Sequence, residues 1–402
     1  MTKRLLEELE LDTKSALIKK QILNHYIYNG NTTITDLSKE LNLSVPTVTK
    51  FINEMCDDGY IHDYGKLETN GGRHPHLYGL NPTSGYFVGV DIGQSFVNIG
   101  LINFKGDMVQ LETDVPYAFE NTPAALSHLC RLVGKFISKV AVDTDKILNI
   151  NVNISGRVNP RTGYSYTIFN FEERPLAEVL TEKIGFRVTI DNDSRAMTYG
   201  EYMKGCVSGE KDVLFVNLSW GLGIGIVING ELYTGKSGFA GELGHVNAFD
   251  NEILCHCGKK GCLETEASGV AMSRILTEKI RGGASSVLSA RVFNNESVTL
   301  PEIIRAVNKE EDILCIDILE EIGQKLGKRI AGLINLFNPE MVVVGGMLSC
   351  MDDYITMPVR SAVRKYSLNL VNKDSVIVTS KLKDKAGVVG ACMLARRNMF
   401  EY

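Results

Sequence analysis

Three cysteines and one histidine stand at spacings that suit a single metal ion. The run Gly241-Glu242-Leu243-Gly244-His245 is followed, after nine residues, by Cys255-His256-Cys257-Gly258-Lys259-Lys260-Gly261-Cys262-Leu263-Glu264. His245, Cys255, Cys257 and Cys262 together supply one imidazole and three thiolates, a closed tetrahedral set for zinc. A closed set leaves no position for metal-bound water, so the zinc reads as structural, a brace for the Glu242–His245 segment, rather than hydrolytic. Two alternatives stay open. His256 could replace His245, although adjacent ligands fit one tetrahedron awkwardly, or the cluster is a metal-free set of core thiols.

Three glycine-rich passages bear on phosphate chemistry. From Tyr86 the chain reads as strand, tight turn and strand through Asp91-Ile92-Gly93-Gln94-Ser95, and the passage 213–230 repeats that rhythm around Ser219-Trp220-Gly221-Leu222-Gly223. Such turns expose backbone N–H groups that can cradle phosphate, yet they also close ordinary sheets. The third passage, Met341 to Gly345-Gly346, could lie against a nucleotide base or ribose, or merely end a buried strand. Two matching hairpins imply a duplicated α/β fold with a cleft between its lobes.

These groups need a scaffold, and the chain ahead of them has a different character. Apolar residues Leu17, Ile18, Ile22, Leu23 and Ile27 recur at helical spacing until Asn29-Gly30. A second short helix carries Ile34, Leu37 and Leu41. Ser44 can cap a third, with Pro46 tolerated in its first turn and Val48, Phe51, Ile52 and Met55 facing inward. By subtraction Thr47, Lys50 and Asn53 face outward, with Thr49 at the margin, as in a helix presented to the major groove. A strand pair follows, Tyr60 to Tyr64 and back through Leu77 and Tyr78. Its loop, Asn70-Gly71-Gly72-Arg73, resembles a wing whose arginine enters a minor groove or contacts phosphate.

The bulk numbers agree with several folding units. A chain of 402 residues exceeds one ordinary domain, and 44% hydrophobic with 23% charged residues suits a globular protein with a large core. Nine cysteines behind an N-terminus unlike a signal peptide argue for free thiols or metal ligation over disulfides. No apolar run reaches about eighteen residues without a charge or glycine, so a cytoplasmic protein without membrane contact is expected. The net charge of −5 carries no signature of nucleic-acid binding. Its distribution removes the objection, because Glu54, Asp57 and Asp58 lie toward the far end of the third helix.

On these residues the chain resembles the ROK family, which joins sugar kinases to transcription repressors of the xylose and N-acetylglucosamine type. The resemblance rests on the winged module at 14–80, the hairpins at 87–102 and 213–230, Asp191-Asn192-Asp193, the stretch from Gly230 to His245, and the cysteine cluster with Glu264. It implies a winged helix-turn-helix followed by a two-lobed α/β body of the actin-like, sugar-kinase (ribonuclease H-like) type. The implied division is 1–80 for the DNA-binding domain, 85–197 completed by about 385–402 for the first lobe, and 198–384 for the second.

Carried over residue by residue, the resemblance implies that Glu242, His245 and Glu264 bind sugar hydroxyls. Asn192 and Asp193 would lie beside the acceptor hydroxyl, and Asn170 would contact sugar. His245 would serve twice, one ring nitrogen on zinc and the other toward sugar. In the family's kinases Asp193 would be the catalytic base in transfer from ATP with magnesium.

The family's phosphate turn usually reads Asp-Ile-Gly-Gly-Thr, whereas this chain has Gln94-Ser95 in the last two places. Only Gly345-Gly346 precedes Met347, where kinases commonly offer a longer glycine run. Asp91, Gly93, Gly221, Gly223, Gly345 and Gly346 therefore read as a vestigial nucleotide site. The expectation is a sugar-responsive transcriptional regulator, a repressor, contacting operator DNA through Ser44, Thr47, Thr49, Lys50 and Arg73. An ATP-dependent sugar kinase that also binds DNA is the alternative, and a scaffold for another protein is a third reading. Helix-turn-helix modules usually read two-fold repeats, so a homodimer or tetramer is expected.

Overall fold

A computed structural model describes residues 7–9, 11, 13–67, 74–171 and 173–400. Arg73 and the expected wing tip lie outside the described residues. The chain forms two compact units, 1–191 with 391–402, and 192–390. Among the described residues no helix is long and apolar enough to cross a membrane.

The first unit opens with three capped helices. Thr13 caps α1 (Lys14–Asn29), Thr33 caps α2 (Ile34–Glu40) and Ser44 caps α3 (Val45–Asp57), each accepting a backbone N–H that its helix cannot satisfy. Val48, Phe51, Ile52 and Met55 are buried, as their spacing requires. One expected core position differs. Leu17 is 52% exposed and Lys19 is buried instead, its ammonium 2.8 Å from Glu8 and 3.0 Å from Glu54. A long aliphatic stem with two carboxylates at its tip lets a cation fill a core place. Strands β1 (Thr32–Thr33), β2 (Ile61–Lys66) and β3 (His76–Leu80) complete the module in the order β1-β3-β2.

The rest of the unit is a five-stranded sheet. Its strands are β4 (Tyr86–Ile92), β5 (Phe96–Asn103), β6 (Met108–Pro116), β7 (Ile147–Ile154) and, after a small separate pair β8 (Val158–Asn159) and β9 (Tyr164–Ser165), β10 (Val188–Asn192). The order is β10-β7-β4-β5-β6. Ile150, Val152 and Ile154 face a core shared with α4 (Pro123–Ile137) and α5 (Leu176–Ile184). The winged module packs onto this body through aromatic rings. Buried Tyr60 lies 5.5 Å from Phe104, which lies 6.1 Å from Phe87 and 5.6 Å from Phe400.

The second unit repeats the sheet. It begins with α6 (Asp193–Lys204), followed by β11 (Val213–Leu218), β12 (Leu222–Ile228), β13 (Glu231–Leu232), β14 (Met341–Gly345) and β15 (Val376–Thr379) in the order β13-β12-β11-β14-β15. Taken strand for strand this is the first sheet again, an antiparallel hairpin followed by a parallel neighbour on the other side. The duplication implied by two similar hairpins is thus a repeat of topology.

Helices α7 (Gly269–Arg281), α8 (Ser289–Phe293), α9 (Leu300–Glu310), α10 (Ile313–Phe337) and α11 (Asp353–Tyr366) bury their apolar faces with one side of β11 and β12. The short α12 (Asn369–Asp374) precedes β15, and α13 (Ala386–Phe400) ends the described chain.

Candidate functional site

The cysteine segment is a pair of tight turns. Cys255 N–H donates to Lys259 O at 2.8 Å and Gly258 N–H returns to Cys255 O at 2.9 Å, with Gly258 at φ 85° and Gly261 at φ 72°. The ligand atoms of His245, Cys255, Cys257 and Cys262 all lie within 4.8 Å of one another. Tetrahedral zinc places two sulfurs about 3.8 Å apart and a sulfur and nitrogen about 3.6 Å apart. The Cys257 and Cys262 sulfurs are 3.6 Å apart, and Cys255 Sγ is 3.6 Å from His245 Nδ1, so the residues fit such an ion.

Burial pushes the Cys255 thiol up to about 12, and a bound cation is what would draw off its proton at neutral pH. Exposed His256 turns Nδ1 to Glu264 at 3.0 Å, and with His245 these two form a second close group.

The backbone brings Glu242 and His245 against the β11–β12 hairpin. A Cβ on Gly241 would lie 2.1 Å from Ile224 O, and one on Gly244 would lie 2.2 Å from Leu222 O. Only glycine allows this approach. The His245 Nε2 atom is then 3.8 Å from the Glu242 carboxylate. Glu264 is buried beneath the hairpin turn, where Oε2 accepts the Leu222 N–H at 2.9 Å.

Asn192 caps α6, its Oδ1 accepting the Arg195 N–H at 3.1 Å. Asp193 Oδ1 accepts from the Ser194 N–H at 2.7 Å and from Asn192 Nδ2 at 3.0 Å. A carboxylate in this place is favoured by the positive end of the helix dipole. From Ser194 a chain of hydrogen bonds runs onward. Asn217 Nδ2 donates to Ser194 Oγ at 3.0 Å, Ser219 Oγ donates to Asn217 Oδ1 at 2.7 Å, and the Met347 N–H donates to Ser219 Oγ at 3.1 Å. Asn192, Asp193, the second hairpin and the Gly345-Gly346 turn are therefore held as one assembly.

Each expected phosphate glycine has a packing reason of its own. A Cβ would lie 2.8 Å from Glu264 at Gly221, 2.5 Å from Ser194 Oγ at Gly223 and 2.2 Å from the Phe215 ring at Gly345. Gly346, at φ 81°, presses on Asn217 and Leu218. In the first unit a Cβ on Gly93 would lie 2.7 Å from the Phe96 ring, while Gln94 and Ser95 of the same turn are exposed. Asp91 is buried and accepts from Asn153 at 3.0 Å.

That contact ends a ladder which motif reading missed. Asn149, Asn151 and Asn153 alternate along β7 and are fully buried. Asn151 donates to Asn153 Oδ1 at 3.1 Å and accepts from Thr189 at 3.0 Å and Asn398 at 3.4 Å. The period-two run of asparagines was the available signal. Arg195 was missed as well. It is buried in α6 and holds the Gly238 carbonyl at 2.5 Å, on the loop leading to Glu242.

At α3, the Ser44 hydroxyl is 2.8 Å from that of Thr47, and Thr49 Oγ1 donates back to Val45 O at 2.8 Å. Ser44, Lys50 and Asn53 are exposed, with Thr47 and Thr49 half-buried. Glu54 is engaged by Lys19 at 3.0 Å.

Comparison with known proteins matches two separate stretches of the chain. Residues 87–398 match the ROK family, and residues 17–62 match a winged helix-turn-helix DNA-binding family. A xylose repressor of Caldicellulosiruptor bescii is 30% identical over 96% of this chain and 96% of its own. The crystal structure of a ROK family transcriptional regulator, a homolog of the E. coli MLC protein, superposes with a TM-score of 0.79 at 26% identity, covering 96% of each chain. A ROK family glucokinase from Streptomyces griseus, crystallised with glucose and AMPPNP, has a TM-score of 0.68 at 27% identity and covers 78% of this chain and 100% of its own.

Proposed function

The chain belongs to the ROK family, and from that premise we propose that it is a sugar-responsive transcriptional repressor. The winged module binds operator DNA through Ser44, Thr47, Thr49, Lys50 and Arg73. The body takes a sugar or sugar derivative through Asn170, Asn192, Asp193, Glu242, His245 and Glu264. Carboxylates, amides and an imidazole suit this, since each fixes hydroxyl groups in defined directions. The observation carrying the reading is the joining of a DNA-reading helix to a body that keeps this polar set while its first phosphate turn carries Gln94 and Ser95.

Zinc would be held by His245, Cys255, Cys257 and Cys262. When bound, it supplies a structural brace, because four protein donors leave no open position. His245 would offer Nδ1 to the ion, leaving Nε2, beside Glu242, to meet sugar. The protein would work in the cytoplasm as a homodimer or tetramer on two-fold DNA sites. Sugar binding then shifts the population of DNA-binding conformers.

The test is fluorescence anisotropy on an operator selected in vitro from random duplex DNA, with and without a panel of sugars. Identical affinity throughout would refute effector control. A DNA-binding sugar kinase is the second reading, favoured by Asp193 at the head of α6. ATP turnover with magnesium and sugar, abolished by Asp193→Asn, would establish that alternative.

A further inference from the structure

The long helix α10 carries three glycines, and two of them have a reason within the chain. A Cβ on Gly323 would lie 2.8 Å from Pro358, and one on Gly327 would lie 2.7 Å from Ala362, so both let α11 come close. Gly332 has no such neighbour. No atom of the described residues lies within 4 Å of where its Cβ would stand, and it is exposed in a helix that alanine would strengthen.

The surface around Gly332 is apolar. At about 100° per residue, Lys328 and Arg329 fall on opposite flanks of Gly332, one turn before it. The Lys328 ammonium sits 5.1 Å from the Tyr366 ring and the Arg329 guanidinium 5.6 Å from the Phe249 ring, so an aromatic ring borders the stripe on each side. Leu336 continues the stripe one turn on. Asn335 Oδ1 accepts the Leu368 N–H at 3.0 Å, which brings the α11–α12 junction against this end of α10.

Leu336 is 79% exposed, Leu368 65%, Leu370 78% and Tyr366 46%. At roughly 150–200 Å² for a fully exposed large apolar side chain, these four present about 450 Å² of apolar surface. That is close to the apolar share of the roughly 800 Å² that each partner gives to a stable interface. Gly134 on α4 is equally open, yet Arg131, Lys135 and Ser138 around it are exposed and polar. An open glycine alone marks no surface.

We propose that this face is a two-fold interface with a second copy of the chain, in which α10 crosses its own copy at Gly332. The proposal rests on the reading of the protein as a regulator of two-fold DNA sites and names the surface that pairs it. A two-fold axis sets one residue of each helix against itself, and glycine there lets the backbones approach. In an antiparallel crossing Leu336 of one copy meets the Lys328 stem and Tyr366 of the other. The two Lys328 positions then stand about 12 Å apart along the helix, beyond the Debye length at physiological salt.

Sedimentation equilibrium of the full chain, without DNA or sugar, tests the proposal. The native chain should be a dimer at micromolar concentration. Gly332→Gln and Leu336→Glu, both at exposed positions, should each raise the dimer dissociation constant about 30-fold or more, with the far-ultraviolet dichroism spectrum unchanged. Gly332→Cys should give a disulfide-linked dimer under oxidation too mild to link the native chain, because that bond needs Cα atoms within about 7 Å.

A monomeric native chain overturns the proposal, and so does a dimer that both substitutions leave intact. If that undisturbed dimer still binds operator DNA and releases it with sugar, the regulator reading stands without this surface. A dimer broken by the substitutions that binds no DNA keeps the surface and fails the regulator reading.

Discussion

Replacing Asn151 by leucine tests whether the polar ladder in the first sheet is a structural necessity. The side chain is fully buried and makes three hydrogen bonds, to Asn153, Thr189 and Asn398. Leucine matches its shape without supplying a donor or acceptor. At about 1 kcal/mol net for each buried hydrogen bond, Asn151→Leu should cost about 3 kcal/mol. With an m-value of about 3 kcal/mol/M, that lowers the urea midpoint of the first unit by about 1 M.

Circular dichroism follows both units, while the sole tryptophan, Trp220, reports on the second. The loss should therefore be larger in the dichroism curve. Removing Asn398 alongside tests the bookkeeping, because deleting both partners spares the second an unmet buried amide. Asn151→Leu with Asn398→Leu should cost at least about 1 kcal/mol less than the two singles added together. Strict additivity, or a midpoint unmoved by Asn151→Leu, would refute the account.

Three further outcomes are expected. Cys257→Ser should lose bound zinc on metal analysis and lower thermal stability and sugar affinity together; full metal content would remove Cys257 from the ligand set. Lys50→Ala should weaken DNA binding and reduce the slope of log affinity against log salt by about 1, and an unchanged affinity would place α3 off the DNA. Asp312 caps α10, and although burial alone would raise its pKa, N–H groups of Cys315 and Val287 and the Ser286 hydroxyl outweigh this and hold it below the ordinary carboxylate value. A lowered folded pKa means stability that is present above the unfolded value of about 3.9 and lost as pH falls through the folded one. Asp312→Asn should therefore flatten the acid limb of stability against pH, and an unaltered limb would show that other carboxylates dominate it.

What could be read beforehand was mostly local. Ser44 and Pro46 mark the start of α3 because a cap and a first-turn proline act within one helical turn. The Asp91 and Gly221 hairpins declared themselves, and so did the cysteine cluster, since its turns span few residues. Lys19 did not, because its place in the core depends on Glu8 and Glu54, which come from other segments. The partners of Asn151 were equally hidden, with Asn398 lying 247 residues away in sequence. The glycines read as a vestigial nucleotide site also have close packing partners from distant segments, which local spacing does not display.

The rings of Tyr60, Phe104, Phe87 and Phe400 bear on how this protein can be re-engineered. A head attached by a flexible tether could be exchanged for another at the linker, and its target changed without regard to the body. Here the cut would run through a buried aromatic seam made by residues from both sides. A chimera that imports a foreign reading head must bring a matching surface for Phe104 and Phe400, or rebuild them. Head and body are thus packed together through that seam, and retargeting is better attempted at the proposed DNA-facing positions Thr47, Lys50 and Asn53 than by transplanting the module.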